Sequence, residues 1–124
     1  MKRTQAEFRK LVRECIHLAE EKYEVDFGRV GIFFDIKTET AGEARTTTHV
    51  SKGRVYSLRF NKTALHKEWD NMVQSTIPHE VAHLVQWARP DFKSDGHDYK
   101  WRAIAISLGD VERGKKYHTM ELAK

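Results

Sequence analysis

The sequence predicts an α+β domain, and two helical patterns carry the first part of that prediction. Residues 4 to about 21 and residues 67–89 place apolar side chains three and four positions apart, which is the spacing of amphipathic helices. A third helix is predicted over residues 97–108, where Gly109 would end it. We therefore expect three main helices, with Pro78 marking a kink or a junction inside the second.

Strand patterns supply the second part of the fold prediction. Residues 30–37 are rich in β-branched and aromatic side chains, and residues 55–60 alternate apolar and polar positions. A weaker strand is predicted around residues 44–50, before the turn at Lys52 and Gly53. With 124 residues, the chain is predicted to form one domain covering residues 1–124.

Composition limits the compartment and the kind of partner. Cys15 is the only cysteine, so an internal disulfide and a cysteine-rich zinc ribbon within this chain are both excluded. The N-terminal residues lack the apolar segment of a signal peptide, and no apolar run approaches the length of a membrane span. We therefore expect a cytoplasmic monomer with no membrane partner. The net charge of +4 is compatible with nucleic-acid contact but does not establish it.

The segment of residues 77–87 carries the strongest chemical signal. His79, Glu80 and His83 form the pattern H-E-x-x-H, which is typical of helix-borne zinc hydrolase sites. Residues four apart on a helix lie about 6 Å apart along the axis and about 40° apart around it, so both imidazoles can bind one metal ion. Glu80 is turned by about 100° from His79, which suits a base that acts on a metal-bound water.

The pattern by itself is weak, because a surface helix with solvated polar residues could carry it by chance. The neighbouring side chains argue against that interpretation. They form an apolar stripe with both histidines at its edge and Glu80 within it: Met72, Val73, Ile77, Val81, Leu84, Val85 and Ala88. Because a carboxylate on a core-facing surface is costly unless it has a partner or a task, we interpret Glu80 as functional.

A catalytic zinc site usually has three protein ligands, so a third ligand is needed. Gln86 and Arg89 occupy the positions where the metzincin pattern has a glycine and a histidine, which excludes that class. The downstream candidates are Asp95, His97, Asp98, Glu112, His118 and Glu121. His97 is preferred because Gly96 allows a close backbone approach and imidazole suits zinc, but solvation is an equally good interpretation of a loop histidine.

An ordered series of segments resembles the SprT-like family, which includes bacterial SprT proteins and the eukaryotic DNA-dependent protease Spartan. The resemblance covers roughly residues 40–122. It rests on Gly42-Glu43-Ala44, the segments at residues 56–61 and 77–87, Gly96-His97-Asp98-Tyr99-Lys100-Trp101, and the segment at residues 117–122. Bacterial members commonly continue into a four-cysteine zinc ribbon, so the resemblance is to the catalytic core.

The resemblance implies the fold and the roles of four residues. It implies a compact zincin-like domain, in which a small antiparallel sheet packs on the active-site helices. It implies one catalytic Zn²⁺ held by His79, His83 and His97, with Glu80 as the catalytic acid and base. The expected activity is that of a zinc metalloendopeptidase acting on protein substrates. Cleavage of proteins crosslinked to DNA, dependence on single-stranded or damaged DNA, and association with the nucleoid are narrower expectations.

Two tryptophans and two residues of the C-terminal tail are also given predicted roles. We expect Trp87 and Trp101 to be core residues that hold the ligand-bearing helices together. Tyr117 or His118 could stabilise the oxyanion of a hydrolytic reaction, although packing residues of an extended tail are the simpler interpretation.

Two rival functions are compatible with the sequence. One is a nucleic-acid-binding module with a structural zinc, whose groove would use basic residues and two interleaved aromatic residues. Its candidate residues are Arg45, Lys52, Arg54, Arg59, Lys62, Lys93, Lys100 and Arg102, with Phe92 and Tyr99. The other is a zincin-like scaffold that binds a partner without proteolysis. The absence of cysteine ligands favours a catalytic site over a structural one.

Overall fold

The computed structural model describes residues 3–92 and 97–110, beginning with a long N-terminal helix. Helix α1 spans Gln5–Tyr23, and the Thr4 hydroxyl accepts a hydrogen bond from the Glu7 amide at its start. Thr4 is therefore the N-cap of this helix. The helix ends where Glu24 adopts a left-handed conformation with φ of 54°. Its apolar stripe, which includes Phe8, lies in the core.

Three strands form one sheet in the order β1-β3-β2. They are β1 (Val30–Ile36), β2 (Gly42–His49) and β3 (Gly53–Asn61). Strands β2 and β3 form an antiparallel hairpin, in which Ala44 lies opposite Leu58. Strand β1 runs parallel to β3, with Ile32 opposite Leu58.

The expectation of an antiparallel sheet was therefore wrong for one of its two strand pairs. The hairpin places β2 on one side of β3, and the remaining side of β3 is taken by β1. Because β3 lies between β1 and β2, the chain crosses from one edge of the sheet to the other between β1 and β2. Strand patterns in a sequence do not reveal which neighbours pair, so the sheet is mixed rather than antiparallel.

A series of short helical segments connects the sheet to the candidate site. Helix α2 (Lys62–Lys67) begins at Asn61, whose side-chain oxygen accepts hydrogen bonds from the amides of Thr63 and Ala64. Helix α3 (Trp69–Asn71) is a single turn, and a π-helical segment (Met72–Thr76) leads into helix α4 (Ile77–Ala88).

The helix predicted over residues 67–89 is thus interrupted rather than continuous. Pro78 lies in the first turn of α4, directly after the π-helical segment. The predicted junction at Pro78 is therefore confirmed: the π-helical segment ends at Thr76 and α4 begins at Ile77.

Helix α5 (Tyr99–Ser107) completes the described part of the fold. The Asp98 side chain accepts hydrogen bonds from the amides of Lys100 and Trp101 at its start, and Gly109 follows its end with φ of 99°. The predicted extended tail at residues 117–122 lies outside the described residues.

The core lies between α1, one face of the sheet, and α4. Helix α4 contacts α1, β2, β3 and α5, and most of its residues are buried. Within the described residues, the largest fully buried side chains include Trp101, Phe8, Phe60, Leu58, Met72, Ile77 and Leu84. The α+β class is confirmed. No helix in residues 3–92 or 97–110 is both long and apolar enough to cross a membrane.

Candidate metal centre

Helix α4 presents two histidines on one side, one helical turn apart. His79 is buried and His83 is half-buried, and their ring centroids are 5.3 Å apart. The surrounding apolar residues explain this placement: Val81, Leu84 and Val85 anchor the helix in the core and leave the two imidazoles at the edge of the buried face.

His97 joins them from the segment that immediately precedes α5. Its Nε2 lies 3.0 Å from Nε2 of His83 and 3.2 Å from Nε2 of His79. Asp98, the next residue, caps α5 and thereby fixes where that helix begins. The structure therefore brings together the three histidines that the sequence analysis selected.

Trp101 forms one wall of the histidine cluster. Its indole N–H donates a hydrogen bond to the carbonyl oxygen of His79, 3.2 Å away. Its ring centroid lies 4.6 Å from those of His79 and His97, and its plane is within 19° of the His83 ring. Trp101 is fully buried, which confirms the prediction that it is a core residue between the helices.

Glu80 lies beside the cluster and is almost completely buried. Its Oε2 is 3.7 Å from Nε2 of His79. Burial, and to a smaller extent the neighbouring Glu43 carboxylate, together raise the pKa of Glu80 to about 8, against a hydrogen bond from the Ala44 amide that acts to lower it. A carboxyl group in this environment can hold or release a proton near neutral pH.

The imidazole of His83 is held in its neutral form. Burial, and to a smaller extent the neighbouring His97, together lower the pKa of His83 to about 4, against a hydrogen bond to the side chain of Gln86 that acts to raise it. Neutral imidazole is the form that binds metal ions. The three ligand atoms of His79, His83 and His97 all lie within 4.8 Å of one another, so the cluster could hold a metal ion.

The other sequence candidates occupy different positions. Asp98 lies next to His97, but its side chain caps α5 through the amides of Lys100 and Trp101. The remaining candidates, with the two tail residues proposed as oxyanion donors, lie outside the described residues: Asp95, Glu112, Tyr117, His118 and Glu121.

Part of the basic surface considered for nucleic-acid binding is involved in ion pairs. Arg45 pairs with Glu43 on β2, and Arg59 of β3 pairs with Asp35 of β1. The two aromatic residues of that hypothesis also differ in environment. Phe92 packs edge-on against Tyr23 at 5.3 Å, whereas the Tyr99 side chain is exposed.

The sequence analysis did not assign the residues of β2 that contact Glu80. Ala44 donates its amide hydrogen to the Glu80 carboxylate, and the backbone of Gly42 lies against the same side chain. Their positions about forty residues before Glu80 gave no geometric clue. The available signal was the Gly42-Glu43-Ala44 segment, which was among the segments that carry the family resemblance.

An α+β domain with three convergent histidines on and beside a buried helix is a candidate metalloprotein. The SprT-like family matches residues 12–121, and the chain belongs to that family. This confirms the resemblance on which the ligand assignments were based.

The chain is similar to several curated bacterial proteins named Protein SprT. That of Shewanella oneidensis is 27% identical over 97 residues, which cover 78% of this chain and 57% of the relative. That of Pseudomonas entomophila is 29% identical, over 75% of this chain and 52% of the relative. One from Pseudomonas fluorescens is 26% identical over 91% of this chain and 64% of the relative. The chain thus spans between about half and two thirds of these relatives, and no solved structure matches it.

Proposed function

We propose that this protein is a zinc metalloendopeptidase of the H-E-x-x-H type. In this proposal His79, His83 and His97 hold one zinc ion, and Glu80 is the catalytic acid and base. One observation carries it: the Nε2 atoms of the three histidines converge, and Oε2 of Glu80 lies 3.7 Å from one of them. Membership in the SprT-like family supports the same conclusion.

The spacing of the histidines suits zinc. Two nitrogen ligands at the usual 2.0–2.1 Å from a tetrahedral zinc ion lie about 3.3 Å apart. The Nε2 separations of 3.0 Å and 3.2 Å at His97 are close to that value. Three protein ligands leave a fourth position for water or substrate, which is typical of catalytic rather than structural zinc.

Zinc in this position would polarise the scissile carbonyl and lower the pKa of a water molecule in the site. Glu80 accepts the proton of that water on a carboxylate oxygen as the water attacks the carbonyl, and then transfers it to the leaving amine. The buried position of Glu80 keeps competing water away from the carboxylate, and a nearby cation favours its ionised form. His83, whose pKa is lowered by burial and by the neighbouring His97, is in the neutral form that binds a metal ion.

The direct test compares the parent with Glu80→Gln on an unfolded protein substrate, both loaded with zinc. Glutamine keeps the shape of the side chain but cannot accept the proton, so hydrolysis should fall by about 10²–10⁴-fold while the zinc content is unchanged. Glu39→Gln, which alters an exposed glutamate in the loop before β2, is the matched control and should keep the parent rate. Equal cleavage by the Glu80→Gln variant would contradict the role of Glu80.

The proposed substrate class is protein, and the narrower form of the proposal is protein associated with or crosslinked to DNA. This narrower form rests on the family resemblance. Adding single-stranded DNA to the same assay tests it: a faster parent reaction that Glu80→Gln lacks would support it. An unchanged rate would limit the proposal to proteins without DNA.

A further inference from the structure

Strand β2 begins unusually close to the side chain of Glu80. A Cβ atom added to Gly42 would lie 2.8 Å from Cγ2 of Thr76, 3.2 Å from Cγ of Glu80 and 3.4 Å from its Oε2. The first distance is shorter than real Cβ contacts. The φ of Gly42 is not positive, unlike those of Gly28, Gly53 and Gly109, so a side chain is excluded by lack of space rather than by backbone conformation.

Two residues further along β2, the backbone contacts the same carboxylate. The Ala44 amide donates a hydrogen bond to Glu80. In an antiparallel pair the amides of a strand point alternately toward and away from the partner strand. The Asn61 amide of β3 donates a hydrogen bond to the carbonyl oxygen of Ala41, so by this alternation the amide of Ala44, three positions further along the chain, points away from β3. The hydrogen bond from Ala44 to Glu80 is therefore not part of the sheet. In the described residues, β2 is an edge strand.

We propose that Gly42 and Ala44 are positioning residues for Glu80, and that the start of β2 holds its carboxylate in the orientation needed for proton transfer. A glutamate side chain has three rotatable bonds, and the position of its carboxylate decides whether it can reach the attacking water. The backbone of Gly42 closes one side of this side chain, and the Ala44 amide limits the rotation of the carboxylate. This inference rests on the proposed peptidase function.

Ala44→Pro removes the amide hydrogen and is the main test on activity. Proline is tolerated in an edge strand where the amide does not pair with the neighbouring strand. We expect kcat to fall by about 10- to 100-fold, which corresponds to the loss of one hydrogen bond to a charged group. KM and zinc content should stay at the parent values. Thr48→Pro is the matched control, because it removes an amide of the same alternation class at an exposed position of β2; it should retain the parent kcat.

Hydrogen exchange of the Ala44 amide tests the contact without any substrate or metal. In the parent this amide should be protected, although it does not pair with β3. Glu80→Ala removes the acceptor and should accelerate its exchange, whereas Glu80→Gln keeps an acceptor oxygen and should restore protection. The Arg45 amide, which points toward β3 by the same alternation, should be equally protected in all three proteins.

Gly42→Ala tests the second positioning residue, alone and combined with Thr76→Ser. Serine lacks the Cγ2 atom that makes the shortest contact, so the double variant should regain the stability of Thr76→Ser alone. The remaining short contacts are with Glu80, so kcat should stay reduced. Full recovery of kcat would mean that Gly42 only makes room for Thr76, and would contradict its role toward Glu80.

The failures of the two proposals are distinguishable. A parent that cleaves no peptide bond, with a zinc content and hydrogen exchange as expected, would overturn the peptidase function and leave the contact with Glu80 established. An active parent whose Ala44→Pro variant keeps the parent kcat would overturn the positioning role. Exchange of the Ala44 amide at the same rate in the parent and in Glu80→Ala would overturn it as well. If Ala44→Pro loses its fold or its zinc, the exchange measurement decides.

Discussion

The indole N–H of Trp101 donates a hydrogen bond to the carbonyl oxygen of His79, 3.2 Å away. This bond joins α5 to α4 at His79, the first of the three proposed ligands along the chain. The same indole lies against the rings of all three histidines. A single buried side chain therefore connects the packing of the two helices to the geometry of the proposed metal centre.

Trp101→Phe should weaken both stability and zinc binding. Phenylalanine cannot donate the hydrogen bond and leaves part of the indole volume empty, so the free energy of unfolding should fall by about 1–3 kcal/mol. Zinc affinity should fall by about 10-fold or more, because the histidines lose their common support. Denaturant unfolding and zinc titration measure the two effects. Trp87→Phe, at a half-buried tryptophan stacked on His83, is the control; an equal loss there would contradict a special role of Trp101.

The buried apolar face of α4 should contribute strongly to the free energy of unfolding. Leu84 is fully buried, so Leu84→Ala should lower the free energy of unfolding by about 2–5 kcal/mol. Val81→Ala removes fewer atoms and should cost less. Leu18→Ala on α1 is the matched control, because that side chain is 43% exposed. An unchanged melting temperature for Leu84→Ala would mean that α4 is oriented differently in the folded protein.

Asp98 and His97 are adjacent, but replacing Asp98 should mainly lower stability, whereas replacing His97 should mainly lower zinc affinity. Asp98→Ala removes the cap of α5 and should lower the free energy of unfolding by about 1 kcal/mol, while most of the zinc affinity is kept. Asp98→Asn preserves a capping side chain and should be nearly as stable as the parent. Greater loss of zinc binding in Asp98→Ala than in His97→Ala, measured by titration, would make Asp98 the third ligand.

The metal-free protein should become less stable as the pH rises. The pKa of Glu80 is raised from 4.5 to about 8 in the folded state, so folded Glu80 keeps a proton that unfolded Glu80 releases. Its stabilising contribution is complete below about pH 4.5 and is lost as the pH rises toward about 8. Glu80→Gln has no such proton, so its free energy of unfolding should depend less on pH over this interval. If the free energy of unfolding, measured with denaturant, falls equally with rising pH in the two proteins, Glu80 is not a buried, protonated carboxyl group.

Sequence patterns predicted the helices and strands of this fold because these elements depend mainly on residues that are close together in the sequence. Helical periodicity predicted that His79 and His83 share one side of α4, and the caps at Thr4 and Asn61 involve only residues within one turn. The parallel pairing of β1 with β3 could not be predicted, since it depends on contacts between distant segments. The π-helical segment before α4 was not predicted either.

The candidate site shows the same division. The H-E-x-x-H pattern located two of the three histidines and Glu80, since one helix holds them all. The position of His97 depends on how the chain returns to α4. Its spacing in the sequence could not distinguish a metal ligand from a solvated histidine, and the family resemblance selected the ligand. The contacts of Gly42 and Ala44 with Glu80 arise from the packing of a strand on a helix, which no local pattern encodes.

Zinc stoichiometry of purified variants tests the central claim most directly. Elemental analysis should find about one zinc per chain in the parent, consistent with one three-histidine site. His79→Ala, His83→Ala and His97→Ala should each lose most of it, because each removes one of three ligands. His66→Ala, at an exposed histidine of α2, should keep the parent content. About one zinc per chain in any of the three ligand variants would contradict the proposed metal centre at that residue.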